Sequence, residues 1–167
     1  VNDATVTTAD VLATNGVIHI INKVLVPDNV NLPEPQPTQS IMEIVDATAS
    51  VSTLKAAIDA ASLRATLDGV GPFTVFAPTD DAFAAFSTAN PGVLEFLLLN
   101  PTELAKVLTY HVVSGKVMSG DLTNGNVATV NGEEVTVDLT SGVMINDAKV
   151  TGADVAATNG VIHVIDK

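Results

Sequence analysis

The sequence predicts an α+β fold, with helices first and an antiparallel sheet after them. Apolar residues recur at helical spacing between Ile41 and Leu108, and the period changes to two beyond Val112. Prolines and Asn-Gly pairs stand at the joints between these segments. With 47% hydrophobic and 16% charged residues in a chain of 167, apolar material for a core is ample and disorder is excluded for most of the length.

The first element is one half of a repeat. Residues 1–23, VNDATVTTADVLATNGVIHIINK, return as residues 145–167, INDAKVTGADVAATNGVIHVIDK, at an offset of 144 with 17 of 23 positions identical. The period is too long for a solenoid unit and right for a whole domain. The chain is therefore expected to hold the closing strands of a preceding domain (residues 1–26), a linker (residues 27–38) and a complete domain (residues 39–167). The linker carries Pro27, Pro33, Pro35 and Pro37, which suit a semi-extended spacer and neither helix nor inner strand.

Helices follow. Ser40 with Glu43 forms a capping-box pattern before Ile41, Ile44 and Val45. Ser50 or Ser52 is placed to cap a second helix bearing Leu54, Ala57, Ile58 and Ala61, which Gly69 to Pro72 ends. Phe73-Thr-Val-Phe-Ala-Pro78 reads as a strand stopped by its proline. Thr79 and Asp80 open a helix with Ala82, Phe83 and Phe86. Asn90-Pro91 and Asn100-Pro101 each read as a cap and first-turn proline of a further helix, with Glu103 as a second capping partner. Beyond Val112, residues 127–139 read as a hairpin with a type I′ turn at Asn131-Gly132. Residues 143–145, 149–154 and 161–165 supply further strands, with Asn159-Gly160 as another turn.

Seven Lys and Arg against 19 Asp and Glu give a net charge of −12, which repels phosphate backbones and anionic headgroups. No nucleic-acid partner is expected. The longest aliphatic runs, such as residues 96–99, fall far short of the ~20 residues that span a bilayer, so no direct membrane insertion is expected. No cysteine is present, which removes disulfides, thiolate nucleophiles and Cys-based metal sites. Asn100-Pro101-Thr102 is blocked as a glycan acceptor by its proline, which suits a bacterial surface protein.

Three blocks, residues 73–83 (FTVFAPTDDAF), Tyr110-His111 and residues 159–166 (NGVIHVID), resemble the signature blocks of the fasciclin domain in order and spacing. The signature positions are Phe73, Thr74, Phe76, Ala77, Pro78, Thr79, Asp80, Ala82, Phe83, Asn159, Gly160 and His163. Residues 15–22 followed by Val24, Leu25, Val26 and Pro27 resemble the closing block of another such domain. The resemblance implies helices flanking a twisted antiparallel β-sandwich or wedge. It also implies a secreted or surface-attached protein that mediates adhesion, matrix contact or self-association, with domains in tandem. The family's closing block continues past the position of Lys167 with an apolar pair and a proline, as residues 24–27 do.

Tyr110-His111 is linked by the resemblance to adhesion; from the residues alone, the pair more simply anchors a helix to the sheet, one hydrogen bond each. His163 shares a strand face with Val161 and Ile165 and reads as a satisfied core histidine. A metal site on His111 and His163 lacks a third ligand by spacing. Asp80 and Asp81 fit a helix start better than a catalytic carboxylate pair. No nucleophile elbow, phosphate loop or Arg-Gly-Asp tripeptide occurs. The expected function is a non-enzymatic module, without cofactor, that contacts protein or matrix polymer on cell surfaces. Residues 1–26 are further expected to dock against a sheet edge or in the slot of residues 145–167, in their own molecule or in a neighbour's, and the second case gives homo-association. The alternatives are an extracellular small-ligand or metal-binding sensor and a hydrolase using His111.

Overall fold

A computed structural model describes residues 4–25 and 36–167 and divides the chain into two units, Val1–Pro35 and Gln36–Lys167. Most of the expected linker lies outside the described residues. Among the described residues, the first unit is one hairpin, β1 (Val6–Ala13) and β2 (Gly16–Ile21). Its strands are antiparallel with Val6 opposite Ile21, Val11 opposite Ile18 and Ala13 opposite Gly16, and two register shifts lie between.

The second unit opens with α1 (Ile41–Ala47), which the sequence places correctly. Ser40 Oγ accepts from the Glu43 N–H, and Glu43 reaches back to the Ser40 N–H at 2.7 Å. Then come α2 (Ser52–Ala60), the short α3 (Arg64–Leu67), β3 (Phe73–Pro78), α4 (Asp80–Ala89), α5 (Val93–Leu99) and α6 (Pro101–Tyr110). Arg64 holds Asp46 through two hydrogen bonds of 2.9 Å and Asp59 through a third, fastening α1, α2 and α3 together.

Three local expectations fail because other partners win, one across the fold and two within the helices concerned. The α2 N-terminus is capped by neither Ser50 nor Ser52. The Asp80 carboxylate, from the start of α4, accepts from the Ser52 and Thr53 N–H groups at 3.3 and 2.7 Å. Asn90 closes α4, donating from Nδ2 to the Phe86 carbonyl, and α5 starts at Gly92 in the left-handed region with φ 83°. Pro101 does occupy the first turn of α6, but Asn100 donates backward to the Phe96 carbonyl and Glu103 pairs with Lys106.

Among the described residues of this unit, the strands form one sheet with the order β4-β3-β9-β8-β7-β6-β5. The remaining strands are β4 (Val112–Ser114), β5 (Gly125–Ala128), β6 (Glu134–Asp138), β7 (Met144–Ile145), β8 (Ala148–Ala157) and β9 (Gly160–Ile165). Neighbours are antiparallel except β3 and β9, which run parallel from Phe73 opposite Gly160 to Pro78 opposite Ile165. The sheet is thus mixed and mostly antiparallel, and the class is α+β. The β5–β6 turn is wider than type I′: Gly132 has φ 94° but Asn131 does not share the positive φ that such a turn requires.

The parallel pair is buried on both faces, as parallel strands usually are. On one face Val75, Ala77 and Ile162 pack with Ile41, Leu54, Ile58, Leu104 and Leu108 of the helices. On the other, Phe76 and Ile165 pack with Val135, Val137 and Ile145 of the outer strands. The helical layer and the curled sheet thereby enclose β3 and β9 between them.

Candidate functional site

The end of α6 and the strands β3 and β9 bring the signature residues into one region. Thr74, fully buried on β3, donates from Oγ1 to the Gly115 carbonyl at 2.7 Å and accepts from the Val117 N–H at 2.9 Å. Phe76 stacks on His163 with ring centroids 5.9 Å apart. His163 is completely buried; its Nδ1 accepts from the Asp154 N–H at 3.3 Å and its Nε2 donates to the Val117 carbonyl at 2.9 Å. Both ring nitrogens are spent on backbone, which leaves no lone pair for a metal. Asp154, in the left-handed region with φ 60°, accepts from Ser119 N–H at 2.7 Å and from its hydroxyl. That hydroxyl bond, and then the N–H, hold its carboxyl below the usual range.

Asn159 lies in the turn before β9 and fastens three elements at once. Its Oδ1 accepts from the Ile41 N–H at 2.9 Å, and its Nδ2 donates to the Leu67 and Gly69 carbonyls at 2.8 and 3.0 Å. Gly160 packs so closely on Phe73 that a Cβ there would strike the Phe73 carbonyl oxygen. Thr79 caps α4, its Oγ1 accepting from the Ala82 N–H at 3.2 Å. Asp80 is held below the ordinary carboxyl range, chiefly by the Thr53 N–H.

Tyr110 and His111 close α6 with their rings edge to face, 6.2 Å apart. The Tyr110 hydroxyl donates to the Glu134 carbonyl at 3.1 Å and accepts from Asn146 Nδ2 at 3.0 Å, tying α6 to the outer strands. His111 Nδ1 lies 2.8 Å from the Val107 carbonyl and donates to it. Burial lowers its pKa, and the Val107 carbonyl opposes that in part. No carboxylate bonds to His111 among the described residues, so the arrangement a His-dependent hydrolase needs is not assembled there. No group of three or more metal-capable side chains is found among the described residues.

His111 stands between two cavities. One, of about 220 Å³, is almost wholly apolar; Pro78, Phe83, Leu97, Leu104 and Leu108 line it, and Lys167 also borders it. The other, of about 190 Å³, lies between Tyr110, Asn146 and Ile165. The apolar cavity was not legible in the sequence, because its walls come from β3, α4, α5 and α6. Phe86, which also lines it, is exposed, as are Phe96 and Leu99 of α5. Among the described residues, no single helix is long and apolar enough to cross a membrane.

The hairpin of the first unit reproduces β8–β9 bond for bond. Every β1–β2 pair has its β8–β9 counterpart 144 positions on, with both register shifts in the same places. Asp10 has φ 55° and donates its N–H to His19 Nδ1 at 3.3 Å, as Asp154 does to His163. Asn22 Oδ1 accepts from the Thr5 N–H where Asp166 Oδ1 accepts from that of Lys149.

A family model described as the fasciclin domain matches residues 1–27 and 49–167. The chain belongs to the fasciclin domain family. Protein sll1483 of Synechocystis sp. is 50% identical over 136 residues, which cover 78% of this chain and 74% of that protein. Transforming growth factor-beta-induced protein ig-h3 of Sus scrofa is 33% identical over 170 residues, all of this chain but only 23% of that protein. Among solved structures, the FAS1 domain pair of the insect cell adhesion molecule fasciclin I matches with a TM-score of 0.67 at 24% identity. This chain covers 58% of that pair, and 98% of this chain is matched.

Proposed function

We propose that this chain is a non-enzymatic adhesion module of a secreted or surface-attached protein with fasciclin domains in tandem, contacting protein or matrix polymer. The observation that supports this most is family membership together with a fold shared with a domain pair of a cell adhesion molecule. The polar groups of the signature blocks support it as well. Thr74, Asn159 and His163 spend their side-chain hydrogen bonds on backbone, and Tyr110 on the Glu134 carbonyl and the Asn146 amide, a scaffold's use of polar groups and not a catalyst's. In this reading Tyr110-His111 shapes the surface by fixing α6. The test is display of the chain on beads or cells: sticking to matrix polymer or to cells is expected, and its absence sinks the adhesive reading.

A second reading, self-association through residues 1–26, draws on a separate observation. Val17, Ile18 and Ile20 of the hairpin are about half exposed, whereas Val161 and Ile162 of its twin are buried. A two-stranded hairpin with a bare apolar face is marginal in water and gains from a cover. We read the hairpin as the closing strands of a preceding domain. Light scattering of the full chain and of a chain lacking residues 1–37 tests this. Equal, monomeric masses for both would end it.

A further inference from the structure

Helix α5 has the composition of a buried helix and the exposure of a surface one. Six of its seven residues, Val93–Leu99, are apolar, yet none is buried. Leu97 packs against the helical side of the core, and Leu94, one turn before it, lies on the same face. At about 100° per residue, Glu95, Phe96 and Leu99 point the opposite way. Phe96 is 56% and Leu99 81% exposed, with Val93 and Leu98 exposed on the flanks. This outward face is turned from the cavity beside Lys167, which α5 lines with Leu94 and Leu97. Its exposure therefore comes from the helix's own sequence.

The charge around this face has one sign. Residues 65–105, which supply β3, α4, α5 and the start of α6, include Asp68, Asp80, Asp81, Glu95 and Glu103 but no Lys, Arg or His. Lys106, the next cation, is held by Glu103 at 2.9 Å. Glu95 stands on the outward face itself, one turn from Leu98 and Leu99. Two occupants fit this poorly. A second copy would set the same acidic rim against itself. The four apolar side chains also expose on the order of 400 Å², about half of what each partner of a standard stable interface buries. An anionic bilayer is repelled, and helices that lie on one carry Lys and Arg on their polar face. A cationic amphipathic segment meets both constraints, because one apolar stripe covers Phe96 and Leu99 while its cations meet Glu95.

Resting on the adhesion reading, we propose that the outward face of α5, Val93, Phe96, Leu98 and Leu99 around Glu95, docks a basic amphipathic segment of a protein partner. Apolar contact supplies the affinity, and the acidic field selects the partner by sign and speeds encounter. Phe96 is the anchor, an aromatic ring flanked by leucines that exclude water around it. The docking uses none of the signature residues, which remain the scaffold that holds α5 in place.

Three labelled helical peptides test this, each with one leucine stripe and its other positions filled by lysine, by glutamine or by glutamate. Each is titrated into the full chain and into the Phe96→Ser/Leu99→Ser chain, with binding read by fluorescence anisotropy and fold by circular dichroism. Both side chains are exposed, so the double variant is expected to keep the parent's unfolding midpoint. The lysine peptide is expected to bind the parent about tenfold tighter than the glutamate peptide, with the glutamine peptide between them. The double variant is expected to lose about tenfold in affinity for the lysine peptide. Glu95→Lys is expected to narrow the preference for lysine over glutamate, and Val70→Ser, at an exposed valine outside the patch, to change nothing. Equal binding of the three peptides overturns the proposal, as does affinity that survives in the double variant. So does a dimer seen by light scattering, or retention on neutral phosphatidylcholine vesicles, that the double variant abolishes. Beads displaying each chain separate this proposal from the adhesion reading. Full sticking by the double variant removes the α5 face and leaves adhesion standing, whereas parent beads that never stick while the lysine peptide binds end the adhesion reading alone.

Discussion

Residues 4–25 and 148–166 have the same strand pairs, register shifts and histidine-to-backbone bond, yet one hairpin lies open and the other is the centre of a core. Secondary structure and burial therefore come from different sources here. The pairing is written locally: alternation, a two-residue turn and an Asp in the left-handed region suffice to set the register. The burial of Val161, Ile162 and His163 is supplied by β3 and the helices.

Paired substitutions break the comparison, and the largest effect is expected for isoleucine. Ile162→Ala empties a packed site between sheet and helices and should destabilise the domain by about 4 kcal/mol. Ile18→Ala should leave domain unfolding in denaturant within about 0.5 kcal/mol of the parent. An equal loss for both would mean that the two hairpins share one environment. Next, Gly160→Ala drives a Cβ into the Phe73 carbonyl and should cost about 3 kcal/mol, while Gly16→Ala is neutral at concentrations where the chain is monomeric. Asn159→Ala follows at about 2 kcal/mol, because the Ile41 N–H and two carbonyls lose their buried partner; Asn15→Ala should not register in the same melts.

The smallest effect separates titrating groups within the domain. Burial lowers the His111 pKa below its ordinary 6.5, so the unfolded chain takes up a proton at higher pH than the folded one. Stability from this group is complete above pH 6.5 and declines as pH falls below it. Asp80 and Asp154, held under 3.8 by hydrogen bonds from Thr53 and Ser119, act in a separate window and lose their contribution only as pH falls further, below about 4. His111→Gln should flatten the stability curve between pH 7 and 5 and leave the more acidic limb in place. An unchanged slope above pH 5 would discard the assignment.

The chain reveals what depends on neighbours in sequence and hides what depends on neighbours in space. The Ser40–Glu43 box, the proline at the start of α6 and the strand ending at Pro78 are local devices, and each stands where the residues place it. Asp80 shows the limit. Its position at a helix start was legible, but the N–H groups it caps belong to α2, nearly thirty residues earlier in the chain. Asn90 and Asn100 likewise turn back to close the helices before them, because a carbonyl four residues back is within reach once the helix has formed. Among the signature residues, Thr79 as a cap followed from the sequence, whereas the tie from Tyr110 to Glu134 and Asn146 needed the sheet to curl toward α6.

By itself the sequence determined the fold class, the family blocks and the duplicated hairpin, since periodicity, capping and turn residues act over a few positions. Tertiary structure alone decided that β3 runs parallel to β9, that both histidine nitrogens of His163 are consumed, and that an apolar cavity opens beside Lys167. The physical reason is that burial and hydrogen-bond satisfaction are properties of surfaces brought together from distant segments, which no local pattern carries.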